Sequence, residues 1–206
     1  MSELDDLLLR LAAELAKTEP NGAIWANQFD NVANREAHVR TTGPEIWEQT
    51  GGKVDGFICS VGSGGTLTGL GRYFRARSPK TKMILADPVG SILYDYVTTG
   101  TYGEAGSWIV EGIGEDFIPD NAQMDLVSKA YAIPDRESVE SARMLLEKEG
   151  ILAGSSSGTL FAAALFAILL YYPKKLAPRW VGLAVVALSL VWYVAQAAGL
   201  FANLTF

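Results

Sequence analysis

With 206 residues, 49% hydrophobic and 19% charged, the chain is long enough to bury a core and too apolar for bulk disorder. All 23 acidic residues, and all but Lys174, Lys175 and Arg179 of the 17 basic ones, precede residue 158, so the front is acidic and shows no basic stripe. That balance argues against nucleic acid as a partner, since phosphate neutralisation dominates such binding.

The opening MSELDDLLLRLAAELAK is acidic where a secretion signal needs basic residues, so no such signal is expected. Leu4, Leu7, Leu8, Leu11, Ala12 and Leu15 recur at helical spacing and predict an amphipathic helix over 3–17. TTGPEIWEQTGG (41–52) predicts a helix opened by Pro44 and closed by glycines. KVDGFICSV (53–61) predicts a strand, and VGSGGTLTGLGRY follows it. A helix is expected from Thr66 to Arg77, with Leu67, Leu70 and Phe74 on one face. KMILAD (82–87) and SKAYAI (128–133) predict further strands. Asp135 is expected to cap a helix running to Glu149, which Gly150 ends. Strands alternating with helices imply an α/β fold with an open, mostly parallel sheet and helices on both faces.

The lone cysteine and histidine narrow the chemistry. Cys59 permits no intrachain disulfide and no cysteine-rich zinc site, and its apolar strand predicts a buried, inert thiol. With His38 unaccompanied, a histidine-centred metal site or a Ser-His-Asp triad has no support, and no metal is expected.

Residues 150–172 carry no charge, and Leu160–Tyr172 predicts a core helix. Beyond the basic turn PKKLAPR, the stretch 181–199 is broken only by Ser189 and Gln196 and meets the length needed to cross a bilayer. Two domains are therefore expected: an α/β domain over 1–158 and a hydrophobic helical tail over 159–206, with a transmembrane helix at 181–202. A buried hydrophobic helix is the alternative for that stretch. If it spans, Lys174, Lys175 and Arg179 place the acidic domain in the cytoplasm, tethered to the inner or plasma membrane.

A strand, a glycine-rich turn and a helix start together make an anion site, because backbone N–H groups converge there and the helix dipole favours negative charge. Ser63 and Thr66 add hydroxyls. GSGGT lacks the Lys-Ser/Thr pair of a nucleotide phosphate loop, and Leu67 breaks the dinucleotide pattern begun by Gly62 and Gly64. Gly69 and Gly71 suit helix–sheet packing as well as binding. On pattern alone, a phosphate cradle and a plain structural turn both remain open.

Four blocks in order carry a resemblance: NQFDNVANREAHVRTTGPEIWEQTGGKVDGFICSVGSGGTLTG, ADPVGSIL, EGIGEDFIP and ARMLLEKEGILAGSSSGT. Together they resemble the cysteine synthase/cystathionine β-synthase family of fold-type II pyridoxal-phosphate enzymes over residues 7–164, and ADPVGSIL with EGIGEDFIP leans toward the cystathionine β-synthase-like branch. The resemblance implies pyridoxal 5'-phosphate as cofactor, its phosphate held by Gly62, Ser63, Gly64, Gly65 and Thr66. It implies that Ser156 bonds the pyridine nitrogen, where a serine favours β-elimination and replacement, and that Gly112 and Ile113 line the substrate side. The bland alternative for AGSSSG is a flexible linker.

The family carries its cofactor on a lysine in an earlier segment, which this sequence lacks. Lys17, Lys53, Lys80, Lys82, Lys129 and Lys148 have no such context and read as surface residues. The expectation is a C-terminal half that binds the cofactor phosphate, has no catalytic residue of its own, and takes an amino-acid substrate only when a missing N-terminal half completes it. The family relation also implies a homodimer. Two alternatives stand: a membrane-tethered domain binding a phosphorylated ligand, with membrane contact through 181–202, or a non-functional fragment or fusion.

Overall fold

The computed structural model describes residues 3–171. The span expected at 181–202 lies outside them; among the described residues no helix is long and apolar enough to cross a membrane. The chain divides into a compact unit ending at Ala163 and a second beginning at Ala164.

Three parallel strands, β1 (Gly56–Cys59), β2 (Lys82–Pro88) and β3 (Lys129–Ile133), form a sheet in chain order, with Cys59 beside Leu85 and Ala86 beside Tyr131. The alternation of side chains along a strand splits the apolar residues between two faces. Cys59, Met83, Leu85 and Ala130 point into one core with Leu67, Leu70 and Phe74 of α4 (Gly65–Arg77). Ala86 and Ile133 point into the other, with Ala162 and Ala163 of α7 (Ser155–Tyr171). The open parallel α/β sheet with helices on both faces thus stands as expected. Phe74 is fully buried, its ring 5.8 Å from that of Phe57. Truncating it to alanine would cost about 3–5 kcal/mol.

The amphipathic helix at the start forms as α1 (Glu3–Thr18), yet Leu7, Leu8, Leu11 and Leu15 stay about half exposed. The second expected helix forms as α3 (Thr42–Gln49): Gly51 and Gly52, both at positive φ, close it as expected, but it opens two residues before Pro44. Two helices had no apolar periodicity to announce them, α2 (Ala33–Arg40), which buries no residue, and α5 (Leu93–Thr99).

The helix from Asp135 to Glu149 (α6) ends at Gly150 as predicted, but its N-cap is Pro134. Asp135 already lies in the first turn, where its carboxylate accepts the Ile109 N–H at 3.1 and 3.2 Å. The expectation that Asp135 caps α6 is therefore corrected: its charge is spent on the neighbouring loop. The helix expected at 160–172 begins earlier, at Ser155, and is a core helix only in part: Ala162, Ala163 and Ala167 are buried, whereas Phe166, Ile168, Leu169 and Leu170 are exposed. AGSSSG is accordingly the start of a helix, which disposes of the flexible-linker reading.

Candidate functional site

The glycine-rich segment leaves β1 and enters α4 through Gly64, which has φ +82° and caps the helix with no side-chain hydrogen bond. A helix start leaves its first N–H groups unpaired. Here the N–H groups of Ser63, Gly64, Gly65, Thr66 and Leu67 donate to no acceptor among the described residues. The absent side chains are explained by contact. A Cβ on Gly62 would lie 2.7 Å from the Gly112 carbonyl oxygen, and one on Gly65 would collide with Asn34 Oδ1. Glycine therefore lets this loop press against its neighbours while its N–H groups stay free. Gly69 and Gly71 have packing roles: a Cβ there would strike His38 and Arg35 of α2, or Leu126. The expected helix–sheet contact at Gly69 is in fact helix against helix.

The loop containing Gly112 and Ile113 is fastened to this segment. Gly114 N–H donates to the Val61 carbonyl at 2.9 Å, and Trp108 Nε1 donates to the Ile113 carbonyl at 2.9 Å. A cleft of about 300 Å³ is lined by Gly62, Ser63, Gly112 and Ile113, together with Gln28, Phe29, Trp108 and Glu115. Gln28 and Phe29 are held there by buried Asn121, whose Nδ2 donates to the Gln28 carbonyl at 2.9 Å and whose N–H donates to the Phe29 carbonyl. Phe29 and Glu115 also border a larger cleft of about 580 Å³, walled by Leu8, Leu9, Trp25 and Phe117.

Four of the sequence-predicted residues, Gly62, Ser63, Gly112 and Ile113, therefore meet in one cleft. Gly64, Gly65 and Thr66 continue the loop into α4, with Thr66 exposed. Ser156 lies in the first turn of α7 and is not among the residues lining either cleft. Gln28, Phe29 and Glu115 were not singled out from sequence, although NQFDN and EGIGEDFIP contain them.

Burial pushes the Asp87 carboxyl up to about 6, although the Tyr94 N–H donates to it at 2.8 Å. Burial likewise pushes Glu115 to about 7, and the negative charge of Asp87 adds to that push. Cys59 is buried and pushed up to about 12, the inert thiol expected. No lysine among the described residues lines either cleft; Lys17, Lys53, Lys80, Lys82 and Lys148 are exposed, and Lys129 lies over the Tyr131 ring at 4.8 Å.

Residues 2–185 match the family of pyridoxal-phosphate-dependent enzymes. The chain belongs to that family. Within it, the chain is 47% identical to cysteine synthase 1 of Neurospora crassa over 149 residues, covering 70% of this chain and 40% of the relative. It is 44% identical to cysteine synthase A of Escherichia coli K12 over 159 residues, covering 76% and 49%. Cystathionine beta-synthase of Apis mellifera is 41% identical over 157 residues, covering 76% and 31%. The chain thus spans less than half the length of these relatives. The cofactor of the family is pyridoxal phosphate.

The N–H groups of residues 63–67 fit such a group's phosphate, since an anion there would satisfy donors that meet no acceptor among the described residues.

Proposed function

We propose that this chain is the cofactor-phosphate half of a pyridoxal-phosphate-dependent β-replacement enzyme of sulfur amino-acid metabolism, either cysteine synthase-like or cystathionine β-synthase-like. The observation that carries the reading is the run of unpaired N–H groups from Ser63 to Leu67, in a loop whose Gly62 and Ser63 line the cleft.

The N–H groups of Ser63 to Leu67 bind the phosphate, and the hydroxyls of Ser63 and Thr66 join them. By the family resemblance Ser156, in the first turn of α7 and outside the cleft lining, would bond the pyridine nitrogen, and Gly112 with Ile113 would flank the amino-acid substrate. Glu115, pushed to about 7, can hold or release a proton at the cleft wall near neutral pH. The cofactor, when bound, supplies an electron-withdrawing ring for chemistry at an amino acid's α-carbon. The replacement also needs a lysine to anchor the cofactor and act as base, and none lines the cleft among the described residues. The chain therefore holds the cofactor phosphate without turning over alone. A lysine-bearing N-terminal half would complete it, and the completed enzyme would be a homodimer.

The test is to titrate the chain with pyridoxal phosphate, then reduce with borohydride and map peptides by mass. Binding displaced by inorganic phosphate, with no reduced adduct, is expected. No binding would overturn the phosphate site. A single adduct on one lysine would overturn the claim that the chain lacks an anchor.

A further inference from the structure

Both hydroxyls of the glycine-rich loop are met by side chains of α2. Asn34 Nδ2 lies 2.9 Å from Ser63 Oγ and 2.7 Å from the Gln28 carbonyl oxygen. That carbonyl can only accept, so the Asn34 atom is the amide nitrogen and Ser63 Oγ receives a donor. The Ser63 hydrogen is thereby left to give elsewhere. His38, one helical turn along α2, places Nε2 at 3.2 Å from Thr66 Oγ1 and Nδ1 at 3.0 Å from Thr42 Oγ1. The approach is close by construction, because a Cβ on Gly69 would lie 2.5 Å from His38 Cβ.

A neutral imidazole carries one donor and one acceptor nitrogen, so the chain Thr42–His38–Thr66 has two states. In one, Thr66 gives its hydrogen to Nε2, and its oxygen then presents only lone pairs outward. In the other, Thr42 donates to Nδ1, Nε2–H donates to Thr66 Oγ1, and the Thr66 hydrogen is free. Only the second state can donate to an anion.

The geometry points to His38 as a positioning residue: with its proton on Nε2, it turns the Thr66 hydroxyl into a donor to the phosphate group held by the loop. Asn34 does the same for Ser63, so α2 sets the polarity of both loop hydroxyls. This inference rests on the phosphate reading above. It assigns His38 no contact with cofactor or substrate.

His38 is the sole histidine, so its ring can be read without overlap. With the chain carrying ¹⁵N-labelled histidine, ¹H–¹⁵N correlation spectra distinguish the Nε2–H from the Nδ1–H form, and pyridoxal phosphate is then added to saturation. The Nε2–H form is expected to be the sole neutral form in the complex; an Nδ1–H form there would overturn the proposal. Affinities for pyridoxal phosphate complete the test. Thr66→Val should weaken binding about tenfold, the loss of one hydrogen bond to a charged group. His38→Phe should weaken it by a comparable factor, and the double variant should be no weaker than Thr66→Val alone. Multiplying effects in the double variant would overturn the inference, as would an unchanged affinity in Thr66→Val. His38→Gln, whose amide can still donate to Thr66, should recover most of the affinity; failure to do so in a variant that melts like the parent counts against the role. If the parent chain binds no pyridoxal phosphate, the phosphate reading falls, and this one with it. If it binds while the cycle shows no coupling, only the role of His38 falls.

Discussion

Replacing Gly64 with alanine separates two reasons for a glycine. Its φ of +82° costs any L-residue about 1 kcal/mol, and the new methyl would lie 2.5, 2.6 and 2.7 Å from Cβ, Cα and N of Ala122. Overpacking of that kind adds about 1–3 kcal/mol, so Gly64→Ala should lose about 2–4 kcal/mol. Gly112 is the control: its φ is +77°, with nothing within 4 Å of the added methyl, so Gly112→Ala should lose only about 1 kcal/mol. In urea, followed by circular dichroism, the Gly64 variant should unfold at a midpoint roughly 1–2 M lower than the parent. Ala122→Gly should relieve only part of the loss, because Cα and N stay in place. Equal losses in the Gly64 and Gly112 variants would refute the argument that contact with Ala122, beyond backbone conformation, demands glycine at the start of α4.

Thr68 is fully buried, donates to the Asn121 carbonyl at 2.6 Å and accepts the Gln123 N–H at 2.8 Å. Thr68→Val strands both groups and should cost about 2–4 kcal/mol by urea unfolding; a loss under 1 kcal/mol would mean that water replaces the hydroxyl. Asp87 and Glu115 hold their protons more tightly folded than unfolded, so the folded state binds extra protons between about pH 4 and 7. Their contribution to stability is full below that window and is lost as pH rises through it. Asp87→Asn keeps an acceptor for the Tyr94 N–H and should flatten the slope in pH-dependent melting; an unchanged slope would acquit Asp87. Cys59 should resist iodoacetamide at pH 8 in the native chain and react readily in urea, whereas rapid native labelling would contradict its burial.

The spacing of Leu67, Leu70 and Phe74 was enough to find α4 and its buried face, because a long apolar helix against a sheet writes its period into the sequence. The glycines of 62–65 were legible as a turn before a helix. What they touch was not, since Ala122, Asn34 and the Gly112 carbonyl come from distant parts of the chain. Helix α2 left no trace because it buries nothing; it is held through backbone approach at Gly69 and through polar side chains, neither of which has a hydrophobic period. Asp135 misled because a carboxylate at a helix start is equally good for capping its own helix or a neighbouring loop. The meeting of 62–63 with 112–113 came from family resemblance, as no local pattern links two loops so far apart.

The sheet's order has a consequence for synthesis. Because β1, β2 and β3 sit side by side in the sequence in which they are made, each new strand adds to the edge left by the last. When β2 has emerged from the ribosome it can pair with β1 at once, but its other edge waits until Lys129–Ile133 follows. For that interval the most buried strand of the sheet shows an open ladder to its surroundings, and Ala86 waits longer still, until Ala162 and Ala163 of α7 cover its face. The segment between the strands, which carries the EGIGED loop, must be translated first, so its rate of translation sets how long a nascent chain exposes a pairing-competent edge to chaperones or to other nascent chains.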